Sequence, residues 1–232
     1  MAPRKSGRSS TAKILPFPSR PSRKDERRVL RLSPEYSGTC LLYAHHVLSR
    51  DKLFAIKILC WARLANGDTV ALVPWLNGVS RCIDLDNPDS GQAMGYYDPH
   101  SEARFDQPPI QHVAALDALS EVLPPSSKGI AGAVVQEIPD NIGSHAALLI
   151  EQQQEFALEP VVSWRLDELG NMDAMVADMD RATQTPVLSR DDCLYPVREH
   201  PGFRYFFQYH IANQIKAGGV MAARAISQLI KT

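Results

Sequence analysis

Residues 53–64 constrain the fold more than any other stretch of the chain. Phe54, Ile56, Ile58, Cys60, Ala62 and Leu64 share one side of a two-residue period, and Leu53, Ala55, Lys57, Leu59, Trp61 and Arg63 share the other. A period of two belongs to an extended strand, here with one wholly apolar face. Asn66 and Gly67 follow, a pair that accepts positive φ at both centres of a type I′ turn, and residues 69–75 resume a β-rich composition. A two-residue loop there pairs Ala62 with Ala71, Cys60 with Val73 and Ile58 with Trp75. The chain therefore reads as α+β, built on an antiparallel, hairpin-rich sheet or sheets.

Turn-forming residues between 77 and 109 leave room for short strands near 80–85, 93–97 and 103–105. Val113, Leu116, Leu119 and Leu123 then recur at helical spacing, and Pro124 and Pro125 end that middle helix. A second β segment spans 161–166 and 172–178. Its Trp164, Arg165 and Leu166 before Gly170 resemble Trp61, Arg63 and Leu64 before Gly67, and each glycine is followed four and six residues later by Ala and Val. That likeness suggests an internal duplication. At the C-terminal end Phe203, Phe206, Phe207, Ile211 and Ile215 suggest a helix stopped at Gly218 and Gly219, and Val220, Ala223, Ile226 and Ile230 a second one. Together they are expected to form an αα-hairpin packed on the sheet.

Charge divides the chain unevenly. Among residues 1–32, Arg4, Lys5, Arg8, Lys13, Arg20, Arg23, Lys24, Arg27, Arg28 and Arg31 face only Asp25 and Glu26, so this arm carries +8, and since the whole chain is at −1 the remaining 200 residues carry −9. Its interleaved Ser and Pro offer too little apolar surface to offset the entropy of ordering, so the arm is expected to be disordered. Within it Ile14, Leu15 and Phe17 alternate with prolines as a small extended apolar island. Residues 33–232 form the acidic α+β body, as one domain or as two subdomains, 33–125 and 126–232.

No apolar run approaches the ~18 residues of a membrane span, and the N-terminus lacks a secretion signal's apolar core, so a cytoplasmic location is expected. Cys40, Cys60, Cys82 and Cys193 stand far apart, which suits reduced, mostly buried thiols better than a zinc knuckle or a redox dithiol. No phosphate-cradling, dinucleotide, zincin or nucleophile-elbow motif occurs, and no cofactor or metal is expected.

Several constellations offer candidate chemistry. Asp84, Asp86 and Asp89 suggest a calcium loop, but Pro88 and Asp89 fall where an EF-hand needs a ligand and a glycine. Cys193 has His200 downstream and His145 in a separate loop-like stretch as candidate bases, although its neighbours Asp191 and Asp192 would raise the thiol's pKa. His45 and His46, with Cys40 upstream, project in different directions and make a poor shared metal site. Asp178 and Asp180 share a strand face but run into a Thr-containing loop. Arg23, Arg27 and Arg31 have the spacing that opens PilZ domains, which they resemble in that element alone; the family's second element has no match downstream, and no residue is carried over.

The basic arm remains the strongest clue, because flexible cations bind polyanions by releasing condensed counterions, and an acidic protein surface is the other partner such an arm suits. The leading expectation is a non-catalytic accessory or regulatory protein whose arm engages nucleic acid or a nucleoprotein assembly. One alternative is a protein-interaction module that uses Phe17 and a helix face carrying Arg204, Tyr205, Gln208 and Tyr209. Another is an enzyme with a loop-borne site near Asp84, Asp86, His145 and Cys193.

Overall fold

The structure, a computed structural model, describes residues 26–45, 53–86, 91–122, 133–150, 154–177, 179–180, 185–186 and 194–217. The arm up to residue 25, Cys193 and the expected second C-terminal helix lie outside them. Strands β1 (Val29–Pro34), β4 (Cys60–Leu64), β5 (Thr69–Trp75) and β6 (Gly78–Arg81) form one antiparallel sheet. A second sheet has the order β3 (Leu53–Lys57), β2 (Cys40–His45), β7 (Gly91–Asp98), β8 (Ala103–Phe105), and α1 (Ile110–Val122) follows it. The third sheet contains β9 (Val134–Pro139), β10 (Ser144–Ile150), β11 (Glu155–Asp167), β12 (Met172–Ala177), β15 (Leu194–Pro196) and β16 (Phe203–Gln208). A short β13 (Met179–Asp180) pairs with β14 (Thr185–Pro186), and α2 (Tyr209–Lys216) closes the described chain. The architecture is thus α+β with antiparallel sheets.

Strand register reveals two copies of one unit. Pro34 lies opposite Cys60 as Pro139 lies opposite Ser163; Cys40 opposite Lys57 matches His145 opposite Pro160; Leu41 opposite Tyr96 matches Ala146 opposite Phe206. The 3-10 turns at Cys82–Asp84 and Val197–Glu199 also correspond. In each copy the carboxylate after the proline accepts the indole N–H of the buried tryptophan: Trp61 to Glu35 at 2.8 Å, and Trp164 to Asp140 at 2.9 Å. The Trp and Gly likeness in the sequence thus falls on equivalent strands.

The repeated hairpin corrects the expected register. Gly67 donates to Leu64 O while Leu64 donates to Asp68 O, and Gly170, Asp167 and Asn171 repeat both bonds. Gly67 at φ 91° and Gly170 at φ 85° each supply the left-handed residue of a bulged turn. The bulge slips the pairing by one residue, so Trp61 rather than Ala62 opposes Ala71, and Cys60 opposes Leu72. A one-residue slip exchanges faces. Trp61, Ala71 and Val73 therefore enter the interior of the first repeat, whereas Cys60, Ala62 and Leu72 point out of it. The single strand expected over 53–64 is also interrupted, because Ile58 N–H bonds to Thr39 O and Leu59 N–H to Leu72 O as the chain passes from one sheet to the other.

That outward face does not meet water. Leu32, Cys60, Ala62 and Leu64 pack against Trp164, Leu166, Ala174 and Val176 of the second repeat in one continuous core. In the first repeat the corresponding opening above Trp61 is filled by α1, whose His112 stacks on the indole at 5.7 Å and whose Leu116 is fully buried. The sheet of repeat one thus takes, for repeat two, the place that a helix takes in repeat one. On repeat two the matching outward positions are Glu137, Ser163, Arg165 and Asp167, a polar set laced by Arg165 Nε to Glu137 at 2.9 Å. A third copy would find no apolar seat there.

Two further expectations change. The arm was expected to extend to residue 32, but β1 starts at Val29, and Leu32 is fully buried. The helix expected from Phe203 is a strand as far as Gln208, and only residues 209–216 are helical. A bulge explains the misleading spacing: Tyr205 opposes Ala147 and Phe203 opposes Leu148, so the skipped residue lets Phe203 and Phe206 reach the same core at a helix-like interval of three.

Candidate anion-binding cleft

The last basic residues before β1 lead into a cleft between the repeats. Its walls come from β6 and the 3-10 turn after it, from the Gly170 hairpin and from the turn after β15, and its volume is about 290 Å³. Three guanidinium groups face it: Arg27, Arg81 and Arg198. Asp84 holds two of them, Arg81 Nε at 2.5 Å and Arg27 Nη1 at 3.7 Å. Arg198 is oriented by Asp173 at 2.7 Å and by the Met172 carbonyl at 2.8 Å. Arg28 lies beside the cleft, donating to Glu168 O at 3.2 Å. Carboxylates thus pin the cations in position, while Arg27 and Arg198 remain about half exposed, which leaves N–H donors able to meet an oxyanion. Sequence reasoning placed Arg27 in this role and missed Arg81 and Arg198, because isolated arginines far apart in the chain carry no local signature.

The other candidate residues are dispersed. Asp84 belongs to the cleft, Asp86 accepts from Ala93 N–H at 2.7 Å, and His145 sits edge-on to Tyr209 at 5.1 Å, so the three are not brought together. Among the described cysteines thiol chemistry is disfavoured: burial pushes Cys40 up to about 11 and Cys60 and Cys82 higher still. The face expected for Arg204, Tyr205, Gln208 and Tyr209 is not a helix face. Arg204 donates to Pro201 O at 2.9 Å, Tyr205 packs on Phe156, Gln208 is buried, and only Tyr209 opens α2. Beside it runs an apolar groove of about 210 Å³ between α2 and Trp75 and Leu76. Phe17, Arg4, Lys5, Arg8, Lys13, Arg20, Arg23 and Lys24 fall outside the described residues.

A polar constellation that the sequence did not disclose lies under α1. Ser33 Oγ is 2.9 Å from His112 Nδ1, and His112 Nε2 is 3.1 Å from Glu35. Burial opposes the Glu35 carboxylate, but hydrogen bonds from His112, Ser37 and Trp61 and from the Ser37 backbone outweigh it and hold the group at about 2. The order resembles a Ser-His-acid triad, yet all three side chains are buried and α1 covers them. Asp140 does the same work for Trp164 in repeat two with no histidine, accepting from the Gly143 and Ser144 N–H groups instead. The network ties α1 to the sheet. Compared with known proteins, the chain matches no family model, no curated protein and no solved structure.

Proposed function

We propose that this chain is a non-catalytic accessory protein of the cytoplasm whose basic N-terminal arm engages nucleic acid or a nucleoprotein assembly. One observation carries the reading: the cationic run does not stop where the fold begins but continues, through Arg27, onto Arg81 and Arg198 of an otherwise acidic body. The cleft then anchors a phosphate while the arm tracks the rest of the polyanion. Six to eight arm charges on DNA phosphates give log affinity a slope against log salt of roughly −5 to −7.

The test compares three proteins for binding to single- and double-stranded oligonucleotides across a salt series: the intact chain, the chain lacking residues 1–25, and Arg81→Ala with Arg198→Ala. Removing the arm is expected to flatten the salt slope, and the double substitution to reduce it by about 1 to 2 without unfolding the body. Unchanged binding by the arm deletion overturns the proposal. A second reading, a protein-interaction module, draws on the groove beside Phe207 and Tyr209, where Leu76 and Ile215 present apolar surface.

A further inference from the structure

The anion cleft is shut at one end. Residues 27–29, where the basic run enters the fold, are stitched to both repeats: Arg81 Nη1 donates to Arg27 O at 3.4 Å on one side, and Arg28 Nη1 donates to Glu168 O at 3.2 Å on the other. The tip of the second hairpin sits directly on this segment, since a Cβ at Gly170 would lie 2.9 Å from the N and O atoms of Val29. Arg27, Val29 and Gly170 therefore make one continuous end wall, and a strand threading the cleft from rim to rim is blocked there. At about 290 Å³ the space stands at the lower limit of the ~300–1,000 Å³ usual for small-molecule sites, room for a single nucleotide-sized group.

Its cations converge from different repeats. Arg81 stands on the first repeat and commits Nε and Nη2 to Asp84; Arg198 stands on the second and commits Nε to Asp173 and Nη2 to the Met172 carbonyl. Because a guanidinium carries five N–H donors, Arg198 keeps Nη1 for a ligand, and Arg27, 56% exposed, keeps Nε and Nη2. Val29, Val79 and Met172 give the same cleft an apolar wall. An internal phosphodiester carries a single charge, offers two free oxygens and needs an exit for the chain on both sides. A phosphomonoester carries about −1.5 to −2 at neutral pH, offers three oxygens to donors on opposite walls, and leaves in one direction only. We propose that the cleft binds a phosphomonoester with one nucleoside behind it, either the 5′-phosphorylated end of a strand or a free nucleoside monophosphate, and does not bind an internal phosphodiester. The proposal deepens the nucleic-acid reading and rests on it for the choice of a nucleoside. The phosphate bridges Arg198 and the Arg27 and Arg81 pair, and the nucleoside lies on the apolar wall.

The intact chain, the chain lacking residues 1–25, Arg27→Ala and Arg198→Ala are titrated with a 3′-labelled single-stranded oligonucleotide bearing either a 5′-phosphate or a 5′-hydroxyl, read by fluorescence anisotropy at fixed salt. The 5′-phosphate is expected to tighten binding to the intact chain about tenfold, the worth of roughly one charge-assisted hydrogen bond. That ratio should survive removal of the arm and collapse in Arg198→Ala. Arg27→Ala, at a half-exposed side chain, should lower it too, and serves where Arg198→Ala fails to fold. Equal affinity for the two ends, no binding to either, a ratio that disappears with the arm, or one that persists in both substitutions overturns the proposal. The arm is judged separately, from the salt slope with the 5′-hydroxyl strand. An arm-dependent slope without end preference sinks this proposal alone, and an end preference with an arm-independent slope sinks the arm's role alone. In the chain lacking residues 1–25, adenosine 5′-monophosphate that competes within about tenfold of the phosphorylated strand identifies a free nucleotide as the ligand, and weaker competition a strand end. Inorganic phosphate displacing the strand as well as adenosine 5′-monophosphate does overturns the nucleoside's part in binding.

Discussion

Glu35 and Asp140 hold the same place in the two repeats, and each pins a tryptophan, but they do so with different reserves. Glu35 also satisfies His112 and both donors of Ser37, so Glu35→Ala leaves the buried Trp61 and His112 N–H groups without an acceptor and is expected to cost about 3 kcal/mol, against about 2 for Asp140→Ala, in urea unfolding. Protons test the same network. Held at about 2 against 4.5 for a free carboxyl, Glu35 stabilises fully above pH 4.5, and its contribution disappears as the pH falls towards 2. His210 is held at about 4 against 6.5, by burial first and by the Lys57 charge second, so the unfolded chain takes up a proton that the native one refuses. Its contribution is complete above pH 6.5 and declines down to about 4, a loss of roughly 2 to 3 kcal/mol. Urea midpoints measured from pH 7 to pH 2 should fall in these two windows, with His210→Gln flattening the upper one. Neither residue was legible as special in the sequence, because what distinguishes them is the neighbour that folding brings.

Turns and edges decide matters at the level of the element. Gly67 and Gly170 share a conformation but not surroundings: a Cβ at Gly67 meets nothing within 4 Å, whereas at Gly170 it meets Arg28 Cγ at 2.5 Å and Val29 backbone atoms at 2.9 Å. Gly67→Ala is expected to cost about 1 kcal/mol from backbone strain alone, and Gly170→Ala at least twice that, read from thermal unfolding. Two glutamines guard edges by imitating a neighbouring strand, Gln136 on Leu32 at 2.8 and 2.7 Å and Gln214 on Ala55. Gln214→Ala should loosen α2 and leave the β3 edge unpaired, so light scattering on mild heating is expected to rise earlier than in the unaltered chain. The hairpins were legible because Asn66-Gly67 and the second glycine mark them. Their register was not, since a bulged turn and a two-residue turn use the same residues and differ only in one added position. The phenylalanines misled for a related reason, a bulge giving a strand the spacing of a helix.

At the scale of the whole molecule the two repeats share one core, so they are expected to unfold together. Trp61→Phe and Trp164→Phe leave a reporter on opposite sides of the boundary, together with Trp75 in both, and the two proteins should give coincident sigmoidal transitions by fluorescence and circular dichroism. Separate transitions would mean that the repeats are merely tethered. Ala62→Asp, placed at the centre of that boundary, is expected to destabilise both by about 3 kcal/mol or more. Among the described residues no helix is long and apolar enough to cross a membrane. The amino acids alone determined the antiparallel strand content, the turn sites, the likeness of the Trp61 and Trp164 segments and the separation of basic arm from acidic body, because each is carried by neighbours in the chain. Only the tertiary structure decided which side of the first hairpin faces inward and that the other side is the seat of the second repeat. With Cys60, Ala62 and Leu72 on one side and Trp61, Ala71 and Val73 on the other, both sides are apolar, and a period of two cannot choose between them until a second sheet arrives to bury the remaining one.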